Sequence, residues 1–427
     1  MSNSDRIVVV SGARTPFARA RTVFGKMSPA ALGGITLRET VARAGIDPKL
    51  IDEIYYGIVS APAEGSNVSR EALFDSGLPA AIPCTTINRY CASSAEAVAG
   101  IAAKITAGQI EIGIAGGVES ISSIRALFSN EATNFFSDIA KMKTTGQKLA
   151  HLAKFKPAYL APMAPGIVEP TTGKSMGQSA DLMARQFGVG RAEQDAYAVE
   201  SHKKAAKGWE TGFFKELVVG VPTKDGTLVE RDTDIRADTS VEKLAGLRPV
   251  FYKDGTITAG NASPLTDGAS AVLLMKESKA KELGLKPIAA IRSIAAAGVD
   301  IQKEPLLIGP VKAIPHALKM AGISWNDLDL IEIHEAFAGQ VLATFRAIES
   351  DAYAKEKLGL GAKIGTIDTS KVNPHGGSIP LGHPFGATGT RLVMQTALEL
   401  QKLNKKLALI SICAAGGLGE VLVMEAI

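Results

Sequence analysis

Two cysteines and two histidines stand where side chains could do chemistry. Cys91 lies in Ile87-Asn88-Arg89-Tyr90-Cys91-Ala92-Ser93-Ser94-Ala95, directly before a small-residue run that reads as a helix. A cysteine at a helix start feels the positive end of the backbone dipole, which favours thiolate, the form that attacks carbonyls and thioesters. His383 lies in residues 371–390, with His375, five glycines and three prolines. Glycine lets a backbone approach a ligand closely, proline stiffens the turns between, and a glycine-rich turn feeding a helix offers free amides to an anion. Cys413 ends an apolar strand before Ala414-Ala415-Gly416-Gly417, and His334 ends another in His334-Glu335-Ala336-Phe337. A lone cysteine is usually a small buried side chain, and a lone strand-end histidine usually satisfies a local carbonyl. The combination with His383 makes Cys91 a candidate nucleophile, while Cys413 alone carries no such argument. His151, His202 and His316 sit in ordinary helical contexts and read as structural or surface residues.

The elements that must hold these residues repeat. The phrase Ala44-Gly45-Ile46-Asp47 through Ile54 recurs as Ala321-Gly322-Ile323-Ser324 through Ile331, each copy following a helix and leading into a strand. A second echo runs from the Cys91–Ala107 helix through the Glu111–Ala115 strand to Gly116-Gly117. Its partner runs from the Thr390–Leu403 helix through the Leu407–Cys413 strand to Gly416-Gly417. Two copies of one strand–helix unit imply a duplicated α/β fold with its site between the halves. Residues 6–11 read as a fully buried strand, and Pro29–Ala44 as a helix with Ser28 as N-cap and Pro29 at its first position. Residues 121–248 are polar, helical and irregular, and read as an inserted loop domain. The N-terminal half is then 1–120 with 249–280, and the C-terminal half 281–427.

Composition narrows the function. The net charge of +4 over 427 residues is small, and no basic ribbon interleaved with aromatics accompanies it, so nucleic acid is not expected as a partner. Cys84, Cys91 and Cys413 show neither CxxC nor metal-ligand spacing, so no metal is expected, and a reducing compartment fits better than a disulfide framework. The N-terminus enters a strand at once and the longest apolar run is too short for a bilayer, so a soluble cytoplasmic protein is the expectation. From Ile139 to Val168 the chain has no acidic residue but carries Lys141, Lys143, Lys148, Lys154 and Lys156 among apolar residues. Such a segment suits an anionic membrane surface or a phosphorylated ligand, or simply forms a solvated face over a small local core.

These motifs resemble the thiolase family over essentially the whole chain. The resemblance rests on Asn88–Ala95 around Cys91, Gly260-Asn261-Ala262-Ser263 with Thr266-Asp267-Gly268-Ala269, His334-Glu335-Ala336-Phe337, Gly382-His383-Pro384, and Cys413 before its glycines. Many members carry Asn at the place of His334. A histidine there, the basic insert near 139–165 and the Cys-Ala-Ala-Gly-Gly ending resemble the β subunit of the fatty-acid oxidation trifunctional enzyme and its bacterial counterparts. The implied fold is two βαβαβαββ halves layered α/β/α/β/α, with a loop domain.

The implied activity is 3-ketoacyl-CoA thiolysis in β-oxidation, giving acetyl-CoA and a shortened acyl-CoA through an acyl-cysteine. The alternatives are a biosynthetic acetoacetyl-CoA thiolase and a 3-ketoacyl synthase-like condensing enzyme, which usually lacks a second catalytic cysteine. The resemblance implies Cys91 as nucleophile, His383 as its base, Cys413 as acid/base, and His334 with His383 as one oxyanion hole. The backbone amides of Cys91 and Ala415 form the second, and many members have Gly in place of Ala415. Ser263, Met176 and Phe337 line the CoA tunnel, and His375 receives no role. CoA is a co-substrate, with no permanently bound cofactor. A dimer or tetramer, a hydratase/dehydrogenase α subunit and membrane contact through 139–165 are the implied associations.

Overall fold

The computed structural model describes residues 5–63, 65–125, 127–161 and 168–427. They form two compact units, one running to Ser123 and resuming at Glu169–Ile427, the other Ile124–Val168. Residues 162–165 of the basic segment lie outside the described residues.

In the large unit, β1 (Ile7–Arg14) is buried along its whole length, as a strand covered on both faces must be. The helix α1 (Pro29–Ala44) has the expected cap: Ser28 accepts the Ala31 N–H, and Gly45 closes the helix at φ 68°. Then come β2 (Glu53–Gly57), α2 (Val68–Ser76), β3 (Cys84–Ile87), α3 (Ser93–Thr106) and β4 (Ile112–Glu119). After the 124–168 unit, with its helices α4 (Asn130–Lys141) and α5 (Thr145–Leu152), follow α6 (Met176–Gln186) and α7 (Arg191–Glu210). The strand β5 (Thr266–Lys276) closes the first half. The second contains β6 (Ala289–Gly298), α8 (Gly309–Ala321), β7 (Leu330–Ile333), α9 (Ala338–Ile348), α10 (Thr388–Lys402), β8 (Leu407–Ala414) and β9 (Leu418–Ala426).

One sheet carries the strands in the order β7-β8-β9-β6-β1-β5-β4-β2-β3. The duplication is visible in it. In the first half β2 runs parallel to β3 and β4, while β4–β5 and β5–β1 are antiparallel. In the second, β7 runs parallel to β8 and bridges Val372 in parallel, while β8–β9 and β9–β6 are antiparallel. The halves join through β1 and β6. Three apolar cores separate the layers: α1 and α2 on the first half-sheet, α3 with α10 in the middle, and α8 with α9 on the second. This is the thiolase-like five-layer order.

One part of the sequence echo does not hold. Gly416 and Gly417 make the turn after β8, both at φ 72°, whereas Gly116 and Gly117 lie inside β4. Their role there is close approach: a Cβ on Gly117 would lie 1.9 Å from the Gly386 carbonyl oxygen.

Of the 121–248 stretch, residues 169–248 belong to the large unit. Asp232 accepts two bonds from the buried Arg14 guanidinium, at 2.6 and 2.8 Å, and one each from Trp209 Nε1 and Phe17 N–H. The unit 124–168 has its own small core, in which Phe135 stacks on His151 and meets Phe155 and Tyr159.

Candidate active site

Cys91 stands in the turn between β3 and α3. Tyr90 before it holds φ at 49°, a left-handed conformation that a bulky residue adopts only when its surroundings compel it. The flanking motif supplies the compulsion. Asn88 Oδ1 accepts the Tyr90 N–H at 2.9 Å, and the Ser93 hydroxyl accepts the Arg89 N–H while donating to the Tyr90 carbonyl at 2.6 Å. Ser94 accepts the Thr390 N–H at 3.0 Å, tying α3 to the start of α10.

His383 enters from the second half. Gly382 before it has φ 101°, and Gly386 after it donates its N–H to Glu119 Oε2 at 3.0 Å. The anion that a glycine-rich turn can bind is therefore internal. Glu119, at the end of β4, also accepts the Val59 and Ser60 amides. Burial holds its carboxyl up, to about 7, against those three donors. Glu119 escaped the sequence reading because nothing around it distinguishes it from an ordinary strand end.

His334 follows β7, with its N–H donated to Ser411 of β8 at 2.8 Å. Its Nε2 lies 3.2 Å from His383 Nε2, and its Nδ1 lies 2.9 Å from Ser378 Oγ. The Cys91 sulfur and one ring nitrogen of each histidine all lie within 4.8 Å of one another. One thiol and two imidazoles are also zinc-type ligands, so this triad offers either a metal site or a nucleophile with its base and donor. Glu335, next to His334, is fixed by Tyr197, Ser201, Asn373 and the Ile379 amide.

The protonation states differ from the sequence expectation for Cys91. The helix begins at Ser93, so Cys91 lies just outside it, and burial outweighs the dipole. Burial pushes the thiol up to about 12 and the Glu119 carboxylate adds to the rise, while the amides of Ala415 and of Cys91 itself, bonded to the sulfur, oppose it. The balance favours the thiol over the thiolate. Cys413 is buried on β8, and burial, with Cys91 nearby, raises it well above its ordinary value. Burial lowers His383 to about 3, with the Arg391 charge adding to the shift, and holds His334 well below its ordinary value. A neutral imidazole beside a neutral thiol moves a proton only when sulfur attacks.

Ser263 and Phe337 are tied to the segment that reaches His383. Ala262 bridges Phe337, Ser263 donates its N–H to Ala336, and Leu265 bridges His383. The same segment edges a cleft of about 500 Å³, where Ser263 and Gly260 share the lining with Arg19, Arg236 and a Lys243–Asp238 ion pair. Met176 and Phe337 are half-buried against the second-half core. His375 is elsewhere, stacked flat on Phe213 with Nδ1 2.9 Å from Glu399.

Comparison with known proteins agrees across the chain. Residues 7–278 match the family model "Thiolase, N-terminal domain" and residues 285–426 match "Thiolase, C-terminal domain". The chain is 43% identical to a Vibrio cholerae protein named 3-ketoacyl-CoA thiolase, covering 99% of this chain and 98% of that one. A Pectobacterium atrosepticum protein of the same name is also 43% identical, over 99% and 97%. Among solved structures, a Bacillus anthracis acetyl-CoA acetyltransferase superposes with TM-score 0.85 at 32% identity, covering 99% of both chains. Human mitochondrial 3-ketoacyl-CoA thiolase in complex with CoA superposes with TM-score 0.83 at 28% identity, covering 99% and 98%.

Proposed function

This chain belongs to the thiolase family, and from that premise we propose that it cleaves 3-ketoacyl-CoA with CoA, giving acetyl-CoA and a shortened acyl-CoA. The observation that carries this reading is the meeting of Cys91, His334 and His383 within 4.8 Å, beside a second buried thiol. The Cys91 sulfur bonds to C3 of the substrate as its proton passes to His383 Nε2. The Ala415 and Cys91 amides, already bonded to the sulfur, are the donors for the oxyanion formed there. Collapse of the adduct breaks C2–C3, leaving a thioester on Cys91 and the bonding electron pair on an acetyl-CoA enolate. His334 and protonated His383 donate to the enolate oxygen, and Cys413 protonates its carbon. CoA then gives its thiol proton to the Cys413 thiolate and attacks the acyl-Cys91. Cys91 departs with the proton from His383, and the enzyme is restored.

Preorganised donors at a developing oxyanion are typically worth a factor of about 100 or more. The cleft at Ser263, with Arg19, Arg236 and Lys243, suits the phosphates of CoA, and Met176 and Phe337 suit its pantetheine arm. The expected result is CoA-dependent loss of 3-ketoacyl-CoA across a chain-length series, with an acyl adduct on Cys91 by mass spectrometry. Activity survives dialysis against a chelator. Release of free acid without CoA would instead mark a hydrolase, and no cleavage of any chain length would sink the reading.

A second reading concerns the 124–168 unit. Its small core leaves Leu149 and Leu160 63% and 62% exposed, among the exposed lysines Lys148, Lys154 and Lys156. Among the described residues no helix is long and apolar enough to cross a membrane. We propose that this unit lies on an anionic lipid surface. Flotation with anionic but not zwitterionic vesicles, lost in Leu149→Asp with Leu160→Asp, is the expected outcome; equal flotation of that variant refutes it.

A further inference from the structure

The two histidines of the site are linked to a buried cation. Arg391, one turn into α10 and fully buried, donates from Nη2 to Ser378 Oγ at 2.8 Å. Ser378, also buried, lies 2.9 Å from His334 Nδ1. His334 Nε2 lies 3.2 Å from His383 Nε2. His383 Nδ1 lies 2.6 Å from Thr388 Oγ1, which in turn donates to the Pro384 carbonyl at 3.1 Å. Behind Arg391 stand Gln395, with Oε1 3.4 Å from Nη1, and Glu332, 3.9 Å away.

This chain has a direction. A guanidinium only donates and a carbonyl only accepts, while a hydroxyl or a neutral imidazole has one proton to pass on. Because Arg391 feeds Ser378, the Ser378 proton is free to go to His334 Nδ1. The His334 proton then sits on Nε2 and points at the His383 Nε2 lone pair. The His383 proton sits on Nδ1 and goes to Thr388, whose own proton goes to Pro384. Every proton is placed. In the opposite direction Ser378 would accept from both Arg391 and His334, and among the described residues no acceptor remains for its own buried proton. An unplaced buried donor shifts such an equilibrium by about ten-fold or more.

We propose that Arg391 and Ser378 are positioning residues that fix His334 as its Nε2–H tautomer and His383 as its Nδ1–H tautomer. The first is thereby a donor toward substrate oxygen, and the second keeps a lone pair for the Cys91 proton. In the reversed chain His383 Nε2 would already carry a proton and could not serve as a base. Residue 378 matters here because residue 334 is a histidine, whose far nitrogen needs a partner.

The inference rests on the thiolase reading, but its first test does not use activity. In protein labelled with ¹⁵N-histidine, ring-nitrogen shifts separate the two tautomers, and loss of one set in His334→Asn assigns it. The expected result is Nε2–H for His334 and Nδ1–H for His383 in the unmodified protein; His334 as Nδ1–H overturns the inference whether or not thiolysis occurs. Conversely, the expected tautomers without thiolysis would sink only the function. Ser378→Ala is expected to mix the His334 tautomers and lower kcat about 10- to 100-fold with KM little changed, and Ser378→Thr to restore both. Equal kcat loss in both variants with the tautomer unchanged assigns the effect to packing and overturns the proposal. So does an unchanged rate in Ser378→Ala. If Ser378→Ala does not fold, the unmodified protein's spectrum decides alone.

Discussion

The two halves hold their strands in one order and with one pattern of pairing, yet they furnish the centre unequally. Carrying the repeat from Ala44–Ile54 onto Ala321–Ile331 sets Gly57 opposite His334. The pairing registers β2–β4 and β7–β8, extended along the strands, set Val118 opposite Cys413. Before the central helices, the first half has Cys91 and the second has His383. The first half therefore contributes Cys91, and the second His334, His383 and Cys413. The helices differ in the same sense. The buried face of α3 is built largely from Ala95, Ala97, Val98, Ile101 and Ala102. In α10 the residues Arg391, Gln395 and Glu399, spaced four apart on one face, are buried as well. A duplicated scaffold thus became an asymmetric site by placing polarity in one copy, where neighbouring layers exclude water and strengthen each charge.

Breaking the asymmetry at the second thiol should have the largest effect. Cys413→Val, which installs the residue type of the other half, is expected to lower thiolysis by about 1,000-fold, within the range for a lost acid–base group. It should also stop deuterium exchange into the acetyl-CoA methyl while Cys91 still takes an acyl group from acyl-CoA. Continued exchange would remove Cys413 from that role. His334→Gly, the counterpart of Gly57, is expected to cost about 100-fold in kcat, the scale of one oxyanion donor. His334→Asn, which retains an N–H donor, should cost less, and equal rates for both variants would refute a donor role.

One contact that joins the halves at the site is Glu119. Removing its carboxylate in Glu119→Ala leaves the Val59, Ser60 and Gly386 amides without their acceptor. A loss of about 1–3 kcal/mol is expected, because the Gly386 contact is buried and those of Val59 and Ser60 are half-buried. Denaturant unfolding measures it, and an unchanged midpoint would show that the loop closes without this anchor.

A last effect is a pH dependence of stability, set mostly by the second half. Burial lowers His375 to about 4 and His383 to about 3. Unfolding lets them protonate, so their contribution is lost as pH falls from 6.5 toward those values. Burial raises Glu420 to about 8 and holds the coupled Glu332–Glu399 pair above the usual carboxylate range. Unfolding lets those carboxyls ionise, so their contribution is lost as pH rises from 4.5 through 8. The two slopes oppose between 4.5 and 6.5, and above 6.5 only the carboxyls remain. Tm is therefore expected to fall between pH 6.5 and 8.5, less steeply in Glu399→Gln. A Tm that rises over that interval contradicts the assignment.

Much of the site was legible because its residues sit at punctuation. Cys91, His334, His383 and Cys413 each adjoin a strand end, a helix start or glycines, where a side chain has a reason other than packing. Arg391, Gln395 and Glu399 carried a signal too, but a misleading one. Polar residues four apart on a helix normally mark the face turned to solvent, and here that face turns inward. Glu332 and Glu119 gave less still, since one charged residue in an apolar strand does not reveal its partner.

By itself, the sequence determined the repeat, the α1 cap and which four side chains were candidates for chemistry, because periodicity, turn chemistry and residue type are local properties. Tertiary structure decided what those side chains are at rest. Cys91 looked like a thiolate from its place before a helix, whereas its burial in the folded chain favours the thiol. His375 and His383 share one loop and could not be separated by spacing. Folding stacks the first on Phe213 and brings the second to Cys91. Protonation state and proximity both depend on what packs around a group, and most of those neighbours are distant in the chain.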